Sequence, residues 1–339
     1  MKIVITGGAG FLGARLARQI LKAGTLAVGG EKPAAVKSVL LIDRVPPPLD
    51  LAADPRVSAL VGDLNLLLDP GASPAIALDA DVRVVYHLAA AVSGECEADF
   101  DLGMRSNVDA TRALLQVCRA FDSRPMVVFA SSLAVFGNSS AQPLPAVIED
   151  NTLPTPQSSY GIQKFICEQL VADYGRKGFI QARNVRLMTV SVRPGKPNGA
   201  ASSFLSGMIR EPLAGMRAFC PVPRATPVAL SSPDRTIEGL VRAASALDAD
   251  WGALTAVNLP AISTTVGAMA DALARLAGQP CADLIDWVPD ETITRMISSW
   301  PARIAAGRAH ALGLLPDADI DSLIAAHVRD TQIAASPDS

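Results

Sequence analysis

Tyr160 and Lys164 stand four residues apart, so they share one face of any helix that contains them. A free phenol has a pKa of about 10 and is a poor base at neutral pH. An ammonium one turn away favours the phenolate and lowers that value. The pair is therefore a candidate general acid/base, and the same ammonium can hold ribose hydroxyls. The chain has 3 Tyr, and neither Tyr86 nor Tyr174 has a Lys at this spacing. Ser131 and Ser132 close the apolar run Met126–Phe129. A hydroxyl there can hydrogen-bond the oxygen whose proton Tyr160 handles. A strand-end serine can equally cap a turn, and only the company of Tyr160 and Lys164 favours the first reading.

The second constellation is Thr6-Gly7-Gly8-Ala9-Gly10-Phe11-Leu12-Gly13. It lies between the β-branched run Lys2–Thr6 and a helical pattern with Leu12, Leu16 and Ile20 at four-residue spacing. Gly7 permits the tight turn, Gly10 lets backbone amides approach a pyrophosphate, and Gly13 lets the helix pack closely on its strand. The helix N-terminus then directs its N–H groups and dipole at the phosphates. Asp43 ends the second apolar run, where a carboxylate holds both ribose hydroxyls of adenosine and repels a 2′-phosphate, which favours NAD over NADP. Arg44 leaves a competing reading open, because a guanidinium there can pair with a 2′-phosphate. Asp63-Leu64 follows the third run, where Asp63 either meets the adenine edge or accepts local amide hydrogen bonds in a turn. Asn107, early in a helix, either positions Lys164 through water or caps locally.

Elements that place these residues follow from periodicity. Buried strands are predicted at Lys2–Thr6, Val39–Ile42, Val57–Val61, Val82–Leu88, Met126–Phe129 and Leu187–Val192. Helices are predicted over 11–23, 104–121 and 160–174, and residues 25–37 read as an insertion. Alternation of this kind implies right-handed crossovers and a parallel sheet. The fold class is α/β, a doubly wound Rossmann sheet over residues 1–193 that binds NAD, followed by a smaller, mostly helical substrate lobe over 194–333. One or two strands, near 227–231 and 254–258, are expected to return to the sheet.

Composition narrows the function. Apolar residues are 50% and charged residues 19% of 339, which supports a large core and excludes general disorder. A net charge of −3 and aromatic content of 4% argue against nucleic acid. The 3 His and 5 Cys are scattered, so no metal is expected, and the cysteines read as buried thiols in a reducing cytoplasm. No run reads as a signal peptide or membrane span.

Together the stretches Thr6–Gly13, Asp63-Leu64, His87–Ala90, Asn107, Ser131–Gly137 and Tyr160–Lys164 resemble the extended short-chain dehydrogenase/reductases, the NAD-dependent epimerase/dehydratase family. They occur in family order and cover about the first 200 residues. The resemblance implies catalysis by Ser132, Tyr160 and Lys164; Ser132 is preferred because it lies four residues before Phe136-Gly137. For the cofactor it implies Gly7, Gly10, Phe11, Leu12, Gly13 and Asp43, then Asp63, Leu64, Ala89, Asn107 and Pro197, with Tyr160 and Lys164 at the nicotinamide end. Gln163 stands where the family usually has Ser or Thr, a change expected to have little effect. After Arg193 the family's nucleotide-sugar members carry an Asn and then Tyr-Gly-Pro, whereas this chain has Pro194-Gly195-Lys196-Pro197-Asn198. A cation at Lys196 suits a small carboxylate. With Ser93-Gly94-Glu95 and Gly207–Pro212, the stretch is similar to the family's sugar-acid dehydrogenases. That likeness implies oxidation of a 2-hydroxyl to a 2-keto acid, with Ser93, Ser132, Lys196, Asn198 and Arg210 at the substrate; an exposed helix charge is the other reading of Arg210. Two further readings stay open: a nucleotide-sugar epimerase or dehydratase, with Arg217, Arg224 and Arg235 at a diphosphate, and a non-catalytic NAD-binding sensor. The family's habit of pairing the helices at 104–121 and 160–174 with their copies implies a homodimer.

Overall fold

A computed structural model describes residues 1–69, 78, 81–195 and 199–335, the last four as backbone only. The chain divides into two compact units, Met1–Ser132 with Ser159–Arg186 and Ile237–Val257, and Leu133–Ser158 with Leu187–Thr236 and Asn258–Ser339.

In the first unit the apolar runs form strands: β1 Lys2–Thr6, β2 Ser38–Asp43, β3 Val57–Val61, β4 Val82–His87, β5 Met126–Ser132 and β6 Gln181–Leu187. With the short edge strand β9 (Val257–Asn258) they make a seven-stranded sheet of order β9-β6-β5-β4-β1-β2-β3. β1 pairs in parallel with both β2 and β4, so the chain builds outward one way from β1, then returns and builds the other way. That reversal is the point where a doubly wound sheet opens a crevice beyond its carboxyl edge. Thr6, Asp43, His87 and Ser132 all end strands at this edge. Helices α1 (Phe11–Ala23), α2 (Ala110–Arg119) and α3 (Ser159–Arg176) flank the sheet. Val4, Val85, Val127 and Phe129 pack against Leu114, Leu115, Cys118, Cys167 and Val171 in one buried cluster, which is the dominant stabilising term at about 25 cal/mol per Å² of apolar area.

The sixth strand starts six residues earlier than its apolar signature. Arg183, Asn184 and Arg186 are buried within it, and their polarity conceals the strand from a hydropathy reading. Each is satisfied. Arg183 donates to the Ala243 and Ala246 carbonyls and pairs with Asp248 at 2.5 Å; Asn184 donates to the Glu168 carbonyl at 3.0 Å. Residues 25–37 form a small antiparallel ribbon, Thr25–Leu26 with Ala34–Ala35. Its loop amides at Gly29 and Gly30 donate to the Ala244 and Ser245 carbonyls, at the end of the helix Pro233–Ser245.

In the second unit β7 (Thr189–Val190), β8 (Pro227–Ser231) and β10 (Ile262–Thr265) form a separate three-stranded sheet. The expected strand near 227–231 thus pairs with β7 and β10, while the one near 254–258 is represented by β9. Helices Ser203–Leu213, Val266–Ala277 and Ile320–Ala335 accompany it, burying Leu205, Met208, Ile209, Met269, Leu273, Leu323 and Ile324. Among the described residues no helix is long and apolar enough to cross a membrane, and no three His, Cys, Asp or Glu residues gather as metal ligands.

Candidate active site

The glycine loop leaves β1 and enters α1 with no spare volume. Gly7 has φ +70°, and a Cβ there would lie 2.8 Å from the Ala89 amide. A Cβ on Gly13 would lie 2.0 Å from the Gly7 carbonyl oxygen. No side chain caps α1, so its first turn faces the crevice with the loop amides. Asp43 sits beside them: its Oδ2 accepts from the Ala9 and Gly10 amides at 3.0 and 3.1 Å, and its Oδ1 from the Arg44 amide at 2.7 Å. A loop packed too closely for a Cβ at Gly7 or Gly13, next to a fixed carboxylate, fits a dinucleotide. Asp63 caps the short helix Leu64–Leu67 through the Asn65 amide and also pairs with Arg44 at 3.0 Å. Leu64 and Ala89 follow β3 and β4 in the same unit, Leu64 buried and Ala89 half-buried.

Behind the loop runs a directed hydrogen-bond chain. The Ala89 amide donates to Thr6 Oγ1 at 3.3 Å, and Thr6 lies 2.6 Å from His87 Nδ1. His87 Nε2 lies 2.9 Å from Thr111 Oγ1, which donates to the Asn107 carbonyl at 2.6 Å. Because a carbonyl only accepts, Thr111 accepts from His87, which assigns the proton to Nε2. Burial, with a lesser push from Lys164, drives the His87 pKa down to about 3, so the ring is a neutral strut. Asn107 lies in a wide π-type turn, Met104–Asp109, a geometry frequent at functional sites. Its side chain accepts from the Ala91 amide at 2.8 Å and donates to Gln163 Oε1 at 2.8 Å. The Asn107 side chain thus ties the segment after β4 to α3.

Tyr160 and Lys164 occupy the first turns of α3, with Tyr160 half-buried and Lys164 buried. Lys164 Nζ donates to the Ala130 carbonyl at 2.8 Å and lies 4.7 Å from the Phe129 ring centre and 5.7 Å from that of Tyr160. Burial lowers its pKa from 10.5 to about 8. Of the groups that oppose this, Cys96 and Cys167 are themselves pushed up by burial and stay protonated. The Glu168 carboxylate, one turn along α3, supplies the negative charge.

Strand alternation separates the two serines. Ser131 is buried and donates to Glu168 Oε1 at 2.5 Å. Ser132 is half-buried, at the strand end nearest the glycine loop's edge of the sheet. Glu168 also takes Arg186 Nε at 2.9 Å and Nη2 at 2.8 Å. This Ser131–Glu168–Arg186 cluster escaped the sequence reading. Its signals were Glu168 four residues after Lys164, and an arginine inside a strand that must find a partner.

Gln163 is more consequential than expected. It is buried against Asn107, and a Cβ on Gly103 would lie 2.4 Å from its amide nitrogen. Ser93 is buried in the first turn of the helix Ser93–Ala98 in the first unit. Arg210 belongs to the second unit, where its guanidinium donates to the Arg193 carbonyl at 2.7 Å and pairs with Glu211 at 2.5 Å. Lys196, Pro197 and Asn198 lie outside the described residues. In the second unit Arg217 and Arg224 pair with Asp286 and Asp271.

Comparison with known proteins agrees with this geometry. A family model described as the NAD dependent epimerase/dehydratase family matches residues 3–226. The chain is 48% identical over 338 residues to D-erythronate dehydrogenase of Cupriavidus necator, covering 98% of this chain and 100% of that one. It is 40% identical over 324 residues to D-erythronate dehydrogenase of Haemophilus influenzae, covering 96% and 98%. Among solved structures, the nucleoside-diphosphate-sugar epimerase from Agrobacterium tumefaciens superposes with a TM-score of 0.85 at 38% identity, over 99% of this chain and 95% of that one. The cofactor is NAD, and the chain is an NAD-dependent oxidoreductase. With the glycine loop, Asp43 and the Tyr160–Lys164 helix turn assembled on one doubly wound sheet, the chain belongs to the NAD-dependent epimerase/dehydratase family.

Proposed function

We propose that this enzyme oxidises the 2-hydroxyl of a small sugar acid, D-erythronate or a close relative, to the 2-keto acid. The observation that carries the reading is the 48% identity over 338 residues to D-erythronate dehydrogenase, and Tyr160 beside the buried Lys164 ammonium supports the chemistry. Bound NAD supplies the acceptor for the hydride leaving C2. Tyr160, as phenolate, takes the proton of the 2-hydroxyl while Ser132 donates a hydrogen bond to the same oxygen. Lys164 keeps the phenolate accessible at neutral pH and holds ribose hydroxyls. Gly7, Gly10, Phe11, Leu12 and Gly13 cradle the pyrophosphate. Asp43 holds the adenosine ribose, Asp63 and Leu64 face the adenine, and Ala89, Asn107 and Pro197 complete the cofactor contacts. Lys196 or Arg210, with Ser93 and Asn198, holds the carboxylate and neighbouring hydroxyls in this reading.

Residues 1–193 are the cofactor domain and 194–333 the substrate lobe in this reading. The enzyme is cytoplasmic and a homodimer, the latter supported by Ile162 and Ile166 lying 47% and 37% exposed one turn apart on α3. Sedimentation as a monomer at micromolar concentration overturns the dimer. The purified protein is expected to reduce NAD with D-erythronate; no NADH with that or related aldonates overturns the assignment. The Agrobacterium tumefaciens likeness favours a second reading, a nucleotide-sugar epimerase. Thermal protection by UDP but not by sugar acids would select it.

A further inference from the structure

NAD and NADP differ by a 2′-phosphate on the adenosine ribose, and two adjacent residues at the end of β2 pull in opposite directions on it. Asp43 repels the phosphate; Arg44 would welcome it. The Arg44 guanidinium is not idle. Its Nη2 donates to Asp63 Oδ2 at 3.0 Å and to Ser106 Oγ at 3.4 Å. Asp63 is in turn a fixed anchor. Its Oδ1 accepts from the Asn65 amide at 2.9 Å and the Asn65 side chain at 3.3 Å, and that side chain donates to the Arg105 carbonyl at 2.9 Å. One carboxylate oxygen is thus committed to the backbone, which leaves the other to hold the guanidinium.

We propose that Asp63 is a cofactor-specificity residue that acts through Arg44: by latching the guanidinium it keeps it from a 2′-phosphate, so that the repulsion from Asp43 decides for NAD. The inference rests on the reading that Asp43 meets the adenosine ribose. Any contact of Asp63 with the adenine is common to both cofactors and cancels in the ratio of their affinities. The pair is partly exposed, with side-chain accessibilities of 59% and 36%, which limits the effect to a few-fold.

The test measures dissociation constants for NAD and NADP, by calorimetric titration of the purified protein without substrate. Asp63→Ser keeps the helix cap but is too short to reach Arg44; Asp63→Asn is the fallback if the serine variant does not fold. The expected result is a two- to fivefold shift of the affinity ratio toward NADP in Asp63→Ser, and no shift when the same change is made in Arg44→Ala. An unchanged ratio in Asp63→Ser overturns the proposal. So does an equal shift in both backgrounds, because Asp63 would then act by its own charge alone. Asp43→Asn is the separate control: if it leaves the ratio unmoved, the ribose reading fails independently of the latch.

Discussion

Replacing Lys164 by methionine should stabilise the cofactor-free protein at neutral pH while abolishing turnover. Burial lowers the Lys164 pKa from 10.5 to about 8, which corresponds to about 3 kcal/mol at about 1.4 kcal/mol per pH unit. The sign follows from proton counting. Above pH 10.5 the amine is neutral in both folded and unfolded chains and costs nothing. Between 10.5 and 8 the unfolded chain binds the proton and the folded chain does not, so stability falls as pH falls. Below 8 both are charged, and the folded state carries the full penalty. Methionine matches the length and volume of the side chain without its charge. It forfeits the hydrogen bond to the Ala130 carbonyl, at about 1 to 2 kcal/mol. The net gain at pH 7 is therefore about 1 to 2 kcal/mol, shrinking through zero at about pH 9 to 10. Urea unfolding of both proteins from pH 6 to 10.5, followed by circular dichroism, reads the difference, in which other titrations cancel. A variant less stable than wild type at pH 7, or a difference flat from pH 7 to 10, would refute a buried, charged Lys164. The site is then one where function is kept at the expense of stability.

Tyr160→Phe should lower kcat by about 10²- to 10⁴-fold while leaving the affinity for NAD within a few-fold, measured by steady-state assay and cofactor titration. Gly103→Ala should destabilise by about 1 to 3 kcal/mol, because its Cβ meets the Gln163 amide at 2.4 Å. Adding Gln163→Ser should recover most of that loss in the same denaturation assay, and additive effects would contradict the contact. Glu168→Ala should cost about 3 to 5 kcal/mol, since it strands the buried Arg186 guanidinium and the Ser131 hydroxyl. A loss under 1 kcal/mol by urea unfolding would show that the cluster is solvated.

By itself the sequence determined the sheet, the cofactor loop and the reacting pair, because each is written in local spacing. Unbroken apolar runs mark strands, glycines at 7, 10 and 13 mark the phosphate turn, and a four-residue step joins Tyr160 to Lys164. What required tertiary structure was every choice that depends on which groups meet across distant elements. Spacing from Phe136-Gly137 favours Ser132 over Ser131, but only Glu168 and Arg186, drawn from α3 and β6, show that Ser131 is committed to the interior. Gln163 reads as a change of little effect until Asn107 and Gly103 close on it. Arg44 reads as a rival to Asp43 until Asp63 and Ser106 engage it. The sixth strand departs from its apolar signature for the same reason. Its arginines look exposed in sequence, and become buried only because carbonyls and carboxylates from 60 or more residues away satisfy Arg183. Hydrophobic pattern records whether a residue is buried on average; it does not record partners, and in this site it is the partners that assign the roles.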